Sequence, residues 1–349
     1  MKILIIKLSS IGDVVHTLPA LASLKRAYPD AKIDWLVEEA AAPLLDGHEM
    51  IDELIVVRNR GWTIELRKNL KVVKYLKEKR YDIAIDFQGL FKSGIWMYLI
   101  AAKKRIGFSN ARELSYIFLN SKCPPYDIER HAVDRYMDLA EFAGGAGGAA
   151  MEVEDDFPLH YTKEDEEKVT LLLRESGIAE GEAFFAVAAE ARWRTKLWDE
   201  ACFAEVLATI KKDYGIRCVV TGAPSDVKNV EELIKRADSG AVTVAGKTSL
   251  RELAVLMKMA SFALTVDSGP MHIAAAVGTP VVALFGATAP WRTGPYGKKH
   301  IVIRKELECA PCFKRECADA RCMTMITPKE VADAIGGLIK KQGLVNASA

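Results

Sequence analysis

Four short stretches collect the side chains able to do chemistry, and each stands between an apolar run and an amphipathic one. The first is Leu8-Ser9-Ser10-Ile11-Gly12-Asp13. Small residues at the start of a helix leave backbone N–H groups facing outward, where an anion can bind. Asp13 has two readings: an acid that complements the helix dipole, or a general base at the strand edge where a hydroxyl could be deprotonated. The second stretch, Ala191 to Trp198 (ARWRTKLW), puts two Arg, Thr195 and Lys196 on one loop. Such a group can neutralise phosphate; the plainer alternative is a solvated basic loop with Trp198 in the core. The third is Thr221-Gly222-Ala223-Pro224-Ser225-Asp226, where Asp226 is either a helix cap or a holder of ribose hydroxyls. In the fourth, Thr265 to His272, Asp267 and Ser268 offer cap acceptors, Gly269 allows close backbone approach, and Pro270 suits a first helical turn. A well-capped helix explains these residues. With His272 one turn in, they also make an anion site suited to a diphosphate. Neither G-x-G-x-x-G nor G-x-x-x-x-G-K-[ST] occurs in the first loop, so a dinucleotide oxidoreductase or a P-loop NTPase is weakly supported.

Four thiols, Cys309, Cys312, Cys317 and Cys322, fall within 14 residues. The number suits a metal, but the C-x4-C spacings fit paired knuckles poorly. Basic neighbours Lys314, Arg315 and Arg321 could instead lower thiol pKa values. The favoured expectation is idle thiols in a loop packed on the C-terminal domain, with no metal.

The elements that must position these loops alternate strand and helix throughout. Apolar runs at Lys2–Lys7, Lys32–Val37, Leu54–Val57 and Asp82–Asp86 read as strands. Asp13–Tyr28 and Ile64–Lys79 read as helices, the latter with Leu66, Leu70, Val73 and Leu76 inward. A helix near His131–Phe142 ends in Gly144-Gly145-Ala146-Gly147-Gly148, and the alternation then restarts through to a last helix at about Pro328–Lys341. The fold class is therefore α/β: two doubly wound, Rossmann-like domains, residues 1–157 and 158–349, whose facing edges form a cleft. The last helix is a candidate to pack back on the first domain.

The chain has 349 residues, 48 Lys+Arg against 47 Asp+Glu, and a net charge of +1. That balance disfavours a nucleic-acid partner. No apolar run approaches the ~20 residues of a spanning helix, and the N-terminal run is too short for a signal-peptide core. The expectation is a cytoplasmic protein, and seven Cys argue against a disulfide framework. Charge is uneven, however. Arg58 to Lys122 holds 15 basic and five acidic residues, and 123–157 holds two and nine. The basic segment is either a set of solvated helix faces or a surface that meets an anionic partner such as phosphorylated lipid.

Taken together, KLSSIGDVVHTLPAL (7–21), IDFQGLFKSG (85–94), AREL (111–114), HAVDR (131–135), RTKLW (194–198) and DSGPMHIAAAVGTPVVALFG (267–286) resemble the heptosyltransferases of lipopolysaccharide core assembly, glycosyltransferase family 9. The resemblance implies the GT-B fold and inverting transfer of heptose from ADP-L-glycero-D-manno-heptose. The N-terminal motif is similar to the heptosyltransferase I branch, which acts on the Kdo sugar of Kdo-lipid A. The Cys-rich segment is closer to the heptosyltransferase II branch, which acts on a core heptose. Asp13 matches the family's base and Lys196 its diphosphate ligand. Asp226 falls where the family places a ribose-binding acid, one methylene shorter. Asp267, Ser268, Gly269 and His272 match the donor loop. Ala191 and Arg192 replace the family's hydroxyl pair, with Thr195 the available substitute. Ser9, Ser10, Gly12, Arg58, Arg60, Lys92, Arg112 and His131 are expected on the acceptor side.

The donor loop carries no Asp-x-Asp pair, so no cofactor or metal is expected to be obligatory; ADP-heptose is the donor substrate. The acceptor is a lipid, so the expected partner surface is the cytoplasmic face of the inner membrane, docked without spanning. A nucleotide-sugar epimerase or dehydrogenase would want G-x-G-x-x-G and Tyr-x-x-x-Lys. A non-catalytic two-domain sugar binder would tolerate loss of Asp13.

Overall fold

Ile3, Leu4, Ile5 and Ile6 form an unbroken apolar run, the mark of a parallel strand covered on both faces. In the structure, a computed structural model that describes residues 1–58, 66–144 and 157–344, all four are fully buried. The chain divides into two compact units, Met1–His160 and Tyr161–Ala349.

The N-terminal unit runs β1 (Lys2–Ile6), α1 (Ile11–Ala27), β2 (Lys32–Glu38), β3 (Glu53–Val57), α2 (Leu66–Glu78), β4 (Ile83–Asp86), α3 (Phe91–Ile100), β5 (Lys104–Phe108), β6 (Ser121–Cys123) and α4 (Ala132–Phe142). Its six strands are ordered β3-β2-β1-β4-β5-β6, all parallel, with Ile3 opposite both Ile33 and Ile83. Chain order reverses between β1 and β4, and in open α/β sheets ligands bind beyond the strand ends at that point. Helices α1 and α4 pack on each other.

The C-terminal unit runs α5 (Lys163–Glu175), β7 (Phe184–Ala188), α6 (Glu200–Tyr214), β8 (Arg217–Val220), α7 (Val227–Ala237), β9 (Val242–Thr243), α8 (Leu250–Met259), β10 (Ala263–Val266), α9 (Gly269–Ala276), β11 (Val281–Phe285), α10 (Pro290–Thr293), β12 (Ile301–Arg304), α11 (Arg321–Thr324) and α12 (Pro328–Gln342). The order β12-β11-β10-β7-β8-β9 repeats the first unit's winding, with the reversal between β7 and β10. Helix α12 packs on α6 and β11, within its own unit.

Two details differ from expectation. Strands β5, β6 and β12 carry little sequence signal: β5 opens on two charges, β6 is three residues long, and β12 ends its sheet. Leu70 is exposed, while Val73 and Leu76 are buried, so the apolar stripe of α2 is narrower than its sequence suggests. Residues 64–65 and the Leu66 side chain lie outside the described residues, as do Arg60 and 145–148. Among the described residues, no helix is long and apolar enough to cross a membrane.

Candidate functional site

At the N-terminal reversal, Lys7 follows β1 directly and is buried to its ammonium. It donates to Tyr136 Oη at 2.7 Å and to the Phe87 carbonyl at 3.0 Å. Its Nζ stands 3.7 Å from Asp13 Oδ1, and Tyr136 Oη donates weakly to the same oxygen at 3.4 Å. Burial alone would pull the Lys7 pKa down. Asp13 first, then Tyr136 and Asp86, outweigh burial and hold it above its ordinary value. A desolvated cation is thus pinned among oxygens, and it aims one carboxylate. The other Asp13 oxygen, Oδ2, accepts from the Ser10 backbone N–H (3.0 Å) and hydroxyl (3.1 Å), half of a capping box at the start of α1. Asp13 itself keeps about a third of its side chain open, 34%.

Strand β4 supplies the rest of this floor. Asp86 is buried and accepts from the Gln88 and Gly89 N–H groups, both at 3.0 Å, and from Ser93 Oγ at 2.9 Å. Burial pushes its carboxyl up to about 6, against the pull of those donors and of Lys7. Gln88 Oε1 accepts from the Leu8 and Ser9 N–H groups, so the D-x-Q-G turn of β4 shapes the loop after β1. Lys92 bonds Glu38 at 2.7 Å and approaches Ser9 Oγ at 3.4 Å.

Of the residues expected on the acceptor side, Ser10 bonds Asp13, Gly12 precedes it at the start of α1, and Lys92 meets Ser9 on the same loop. His131 caps α4, its Nδ1 accepting from Val133 N–H, and its ring lies 5.1 Å from that of His16 on α1. Arg58 instead pairs with Glu39 on the surface at 3.4 Å. Arg112 is exposed, next to the left-handed residues Glu113 and Leu114. Lys7, Tyr136, Asp86 and Gln88 were not singled out as site residues. Lys7 and Asp86 each carried a signal, a charge closing an otherwise apolar strand, and Gln88 lies with Asp86 in the IDFQGLFKSG motif.

At the C-terminal reversal the ion pair is Lys196 with Asp267, 2.7 Å between Nζ and Oδ2. Asp267 directly follows β10, is buried, and also accepts from Thr288 Oγ1 at 2.6 Å. Lys196, on the loop after β7, lies 4.8 Å over the Trp193 ring, which Arg315 also approaches at 5.3 Å. Ser268 is the N-cap of α9, and its Oγ is buried with no hydrogen bond among the described residues. Gly269 and Pro270 form the first turn of α9, and His272 is buried one turn in. A helix N-terminus, an unused hydroxyl and a cation converge here, and that combination receives an anion. Asp226 accepts from Ala223 N–H at 2.8 Å and Ser225 Oγ at 2.9 Å as it caps the turn before α7. Burial first, and then the charge of Asp226, raise the pKa of Glu190, a second carboxylate just after β7.

Thr195 departs from expectation. It is buried, and its hydroxyl is committed to the Lys314 carbonyl at 2.6 Å, so it ties the Cys-rich loop to the Lys196 loop. The same loop hydrogen-bonds the Ala287 carbonyl through the N–H groups of Cys312 (3.0 Å) and Phe313 (2.8 Å). Gly286 makes this packing feasible, because a Cβ there would stand 2.6 Å from Met323 Sδ and 2.9 Å from the Thr195 carbonyl. Cys309 and Cys317 are exposed, Cys312 is half-buried and Cys322 is buried, all as free thiols. Hydrogen bonds from the Ala320 and Asp319 N–H groups draw the Cys317 thiol down. Among the described residues, no three metal-binding side chains gather.

The family model for glycosyltransferase family 9 (heptosyltransferase) matches residues 69–322. Lipopolysaccharide heptosyltransferase 1 of Escherichia coli K12 is 33% identical, over 88% of this chain and 95% of its own. Its namesake from Pseudomonas aeruginosa PAO1 is 29% identical, over 97% and 98%. The solved structure of E. coli heptosyltransferase WaaC with ADP-2-deoxy-2-fluoro heptose superposes with a TM-score of 0.76 at 28% identity, over 97% and 99%.

Proposed function

The chain belongs to glycosyltransferase family 9, and from that premise we propose that it is a lipopolysaccharide heptosyltransferase that uses ADP-heptose and acts on the Kdo of the inner core. Asp13 accepts the proton of the attacking acceptor hydroxyl. The hydroxyl oxygen bonds to the anomeric carbon as the bond from that carbon to the diphosphate oxygen breaks, and ADP leaves with the electron pair, with inversion. Lys196, the start of α9 and Ser268 Oγ hold the departing charge, the place where electrostatic stabilisation contributes most to such a reaction. Asp226 and Glu190 hold donor hydroxyls. Asp267 orients Lys196, and Lys7 orients Asp13. Lys196 and the start of α9 are placed to meet the diphosphate charge, and in this reading no metal is required.

The observation that carries the reading is the Lys196–Asp267 pair beside an open helix N-terminus, in a chain whose family and relatives are heptosyltransferases. Because the acceptor is a lipid, the protein works at the cytoplasmic face of the inner membrane. The test is ADP release and product mass with ADP-heptose and two deacylated acceptors, one ending in Kdo and one in heptose. The Kdo acceptor should turn over, chelator present or absent. Turnover of the heptose-ended acceptor alone would move the assignment to the second branch, and no turnover of either would defeat it.

A further inference from the structure

We propose that the face of the N-terminal unit built from α2, α3 and the 3-10 turn at Ser115–Phe118 is the surface on which the protein seats itself on an anionic bilayer. The inference rests on the lipid-acceptor reading above and adds where the contact is made.

Large apolar side chains crowd the surface here. Tyr98 is 61% exposed, Leu114 and Ile117 are each 58%, and Phe91 is 44%. They belong to one packed structure. Helix α3 packs against the 3-10 turn, and Phe118 of that turn lies 5.5 Å from the Phe91 ring and 6.0 Å from the Tyr98 ring. Gly94 lets the turn approach so closely, since a Cβ there would stand 2.3 Å from Phe118 Cδ2. Arg105 locks the turn by donating to the Phe118 carbonyl at 2.9 Å. Rigid, exposed aromatic and aliphatic groups of this kind are poor candidates for chance surface residues.

The charge around them says what covers the face. Helix α2 packs on α3 and exposes Arg67, Lys68, Lys71, Lys74 and Lys77 against a single acid, Glu78, with Leu70 and Tyr75 standing out among them. Arg112 flanks Leu114, and Lys122 lies 5.5 Å over the Tyr116 ring beside the turn. The other acids beside this face are occupied, Glu113 by the Phe91 N–H at 3.1 Å and Glu53 by Tyr75 Oη at 2.7 Å and Lys79. A Lys-rich amphipathic helix next to an aromatic and aliphatic cluster matches a bilayer interface: ammonium groups on lipid phosphates, apolar tips at the headgroup–acyl boundary. A protein partner would want fewer lysines at its centre.

The experiment is cosedimentation of the full chain with vesicles containing no acceptor, of phosphatidylglycerol with phosphatidylcholine or of phosphatidylcholine alone. Binding is expected to the anionic vesicles only, and to weaken with salt. Lys71→Gln, Lys74→Gln and Lys77→Gln together should lower partitioning by about 100-fold. Tyr98→Ser with Ile117→Ser should lower it by roughly tenfold. Turnover of a deacylated Kdo acceptor should be unchanged in both variants, which also reports that they are folded. Binding equal in the wild type and both variants, or no binding to either vesicle, overturns the proposal even if turnover is normal. A dimer in sedimentation that Tyr98→Ser dissolves, without vesicle binding, would give the face to a second copy of the chain and likewise overturn it. Vesicle binding as expected without turnover of any acceptor would instead count against the heptosyltransferase reading.

Discussion

At the end of β1 the buried member of the ion pair is a cation, Lys7, and the accessible member is a carboxylate, Asp13. At the end of β10 the buried member is the carboxylate Asp267, and the more accessible one is the cation Lys196. The two units share one strand order, and each puts its pair at the reversal. Only the sign of the charge that reaches solvent is exchanged. A buried ion is costly unless it is paired and hydrogen-bonded. Both are: Lys7 by Tyr136 and Phe87, Asp267 by Thr288. Held that way, each buried ion fixes its partner's position. The same scaffold therefore offers a base in one unit and an anion receptor in the other, and winding alone says nothing about which.

The contrast is open to tests, and the largest effect is expected at Asp13. Asp13→Ala should lower kcat by about 10³-fold if the carboxylate is the base, with ADP affinity by calorimetry unchanged because the donor cradle lies in the other unit. Turnover within a few-fold of wild type would remove the base assignment.

Lys196→Met should cost between ~10² and ~10³ in kcat/KM and also weaken ADP binding. If ADP binds as before, the cation does not serve the diphosphate and the C-terminal half of the comparison fails.

Asp86 lies under the first pair only, and its effect is on stability. A carboxyl that burial raises from 3.8 to about 6 binds its proton more tightly when folded. Its stabilising contribution is thus complete below pH 3.8 and lost as pH climbs through about 6, a change of roughly 3 kcal/mol. The stabilities of wild type and Asp86→Asn from denaturant melts should change relative to one another by about that amount between pH 4 and 7. Parallel curves would mean that Asp86 is ionised throughout.

The finest test removes only the buried partners. Lys7→Met and Asp267→Asn should each lower kcat/KM by about tenfold through a misplaced neighbour. Lys7→Met should act on kcat, and Asp267→Asn on the KM for ADP-heptose. If both moved the same parameter, the division of labour between the units would be wrong.

Much of this was legible in the chain itself. The Ile3–Ile6 run, the small residues before Asp13 and the Ser268-Gly269-Pro270 start of α9 are local signals, written within a few residues of one another. Period and capping suffice to read them, and they place Asp13 at the start of α1 and Asp267 at the end of β10. The partners were not legible, because they come from far along the chain. Tyr136 reaches Lys7 from 129 residues away, and Lys314 reaches Thr195 from 119. Thr195 shows the consequence: its type suited a phosphate, but its hydroxyl is used inside the protein. Leu70 shows another, since helical period alone did not reveal how narrow the buried stripe of α2 would be.

Local patterning thus determined the strand–helix alternation, the two-domain winding and the loops where chemistry could sit, since each depends on neighbours in the chain. Folding decided which ion of each pair is buried, which hydroxyls are already spent, and that α2, α3 and the Ser115–Phe118 turn meet in one basic, apolar face. Those outcomes depend on desolvation and on donors brought from a hundred residues away, and neither is a property of any short segment.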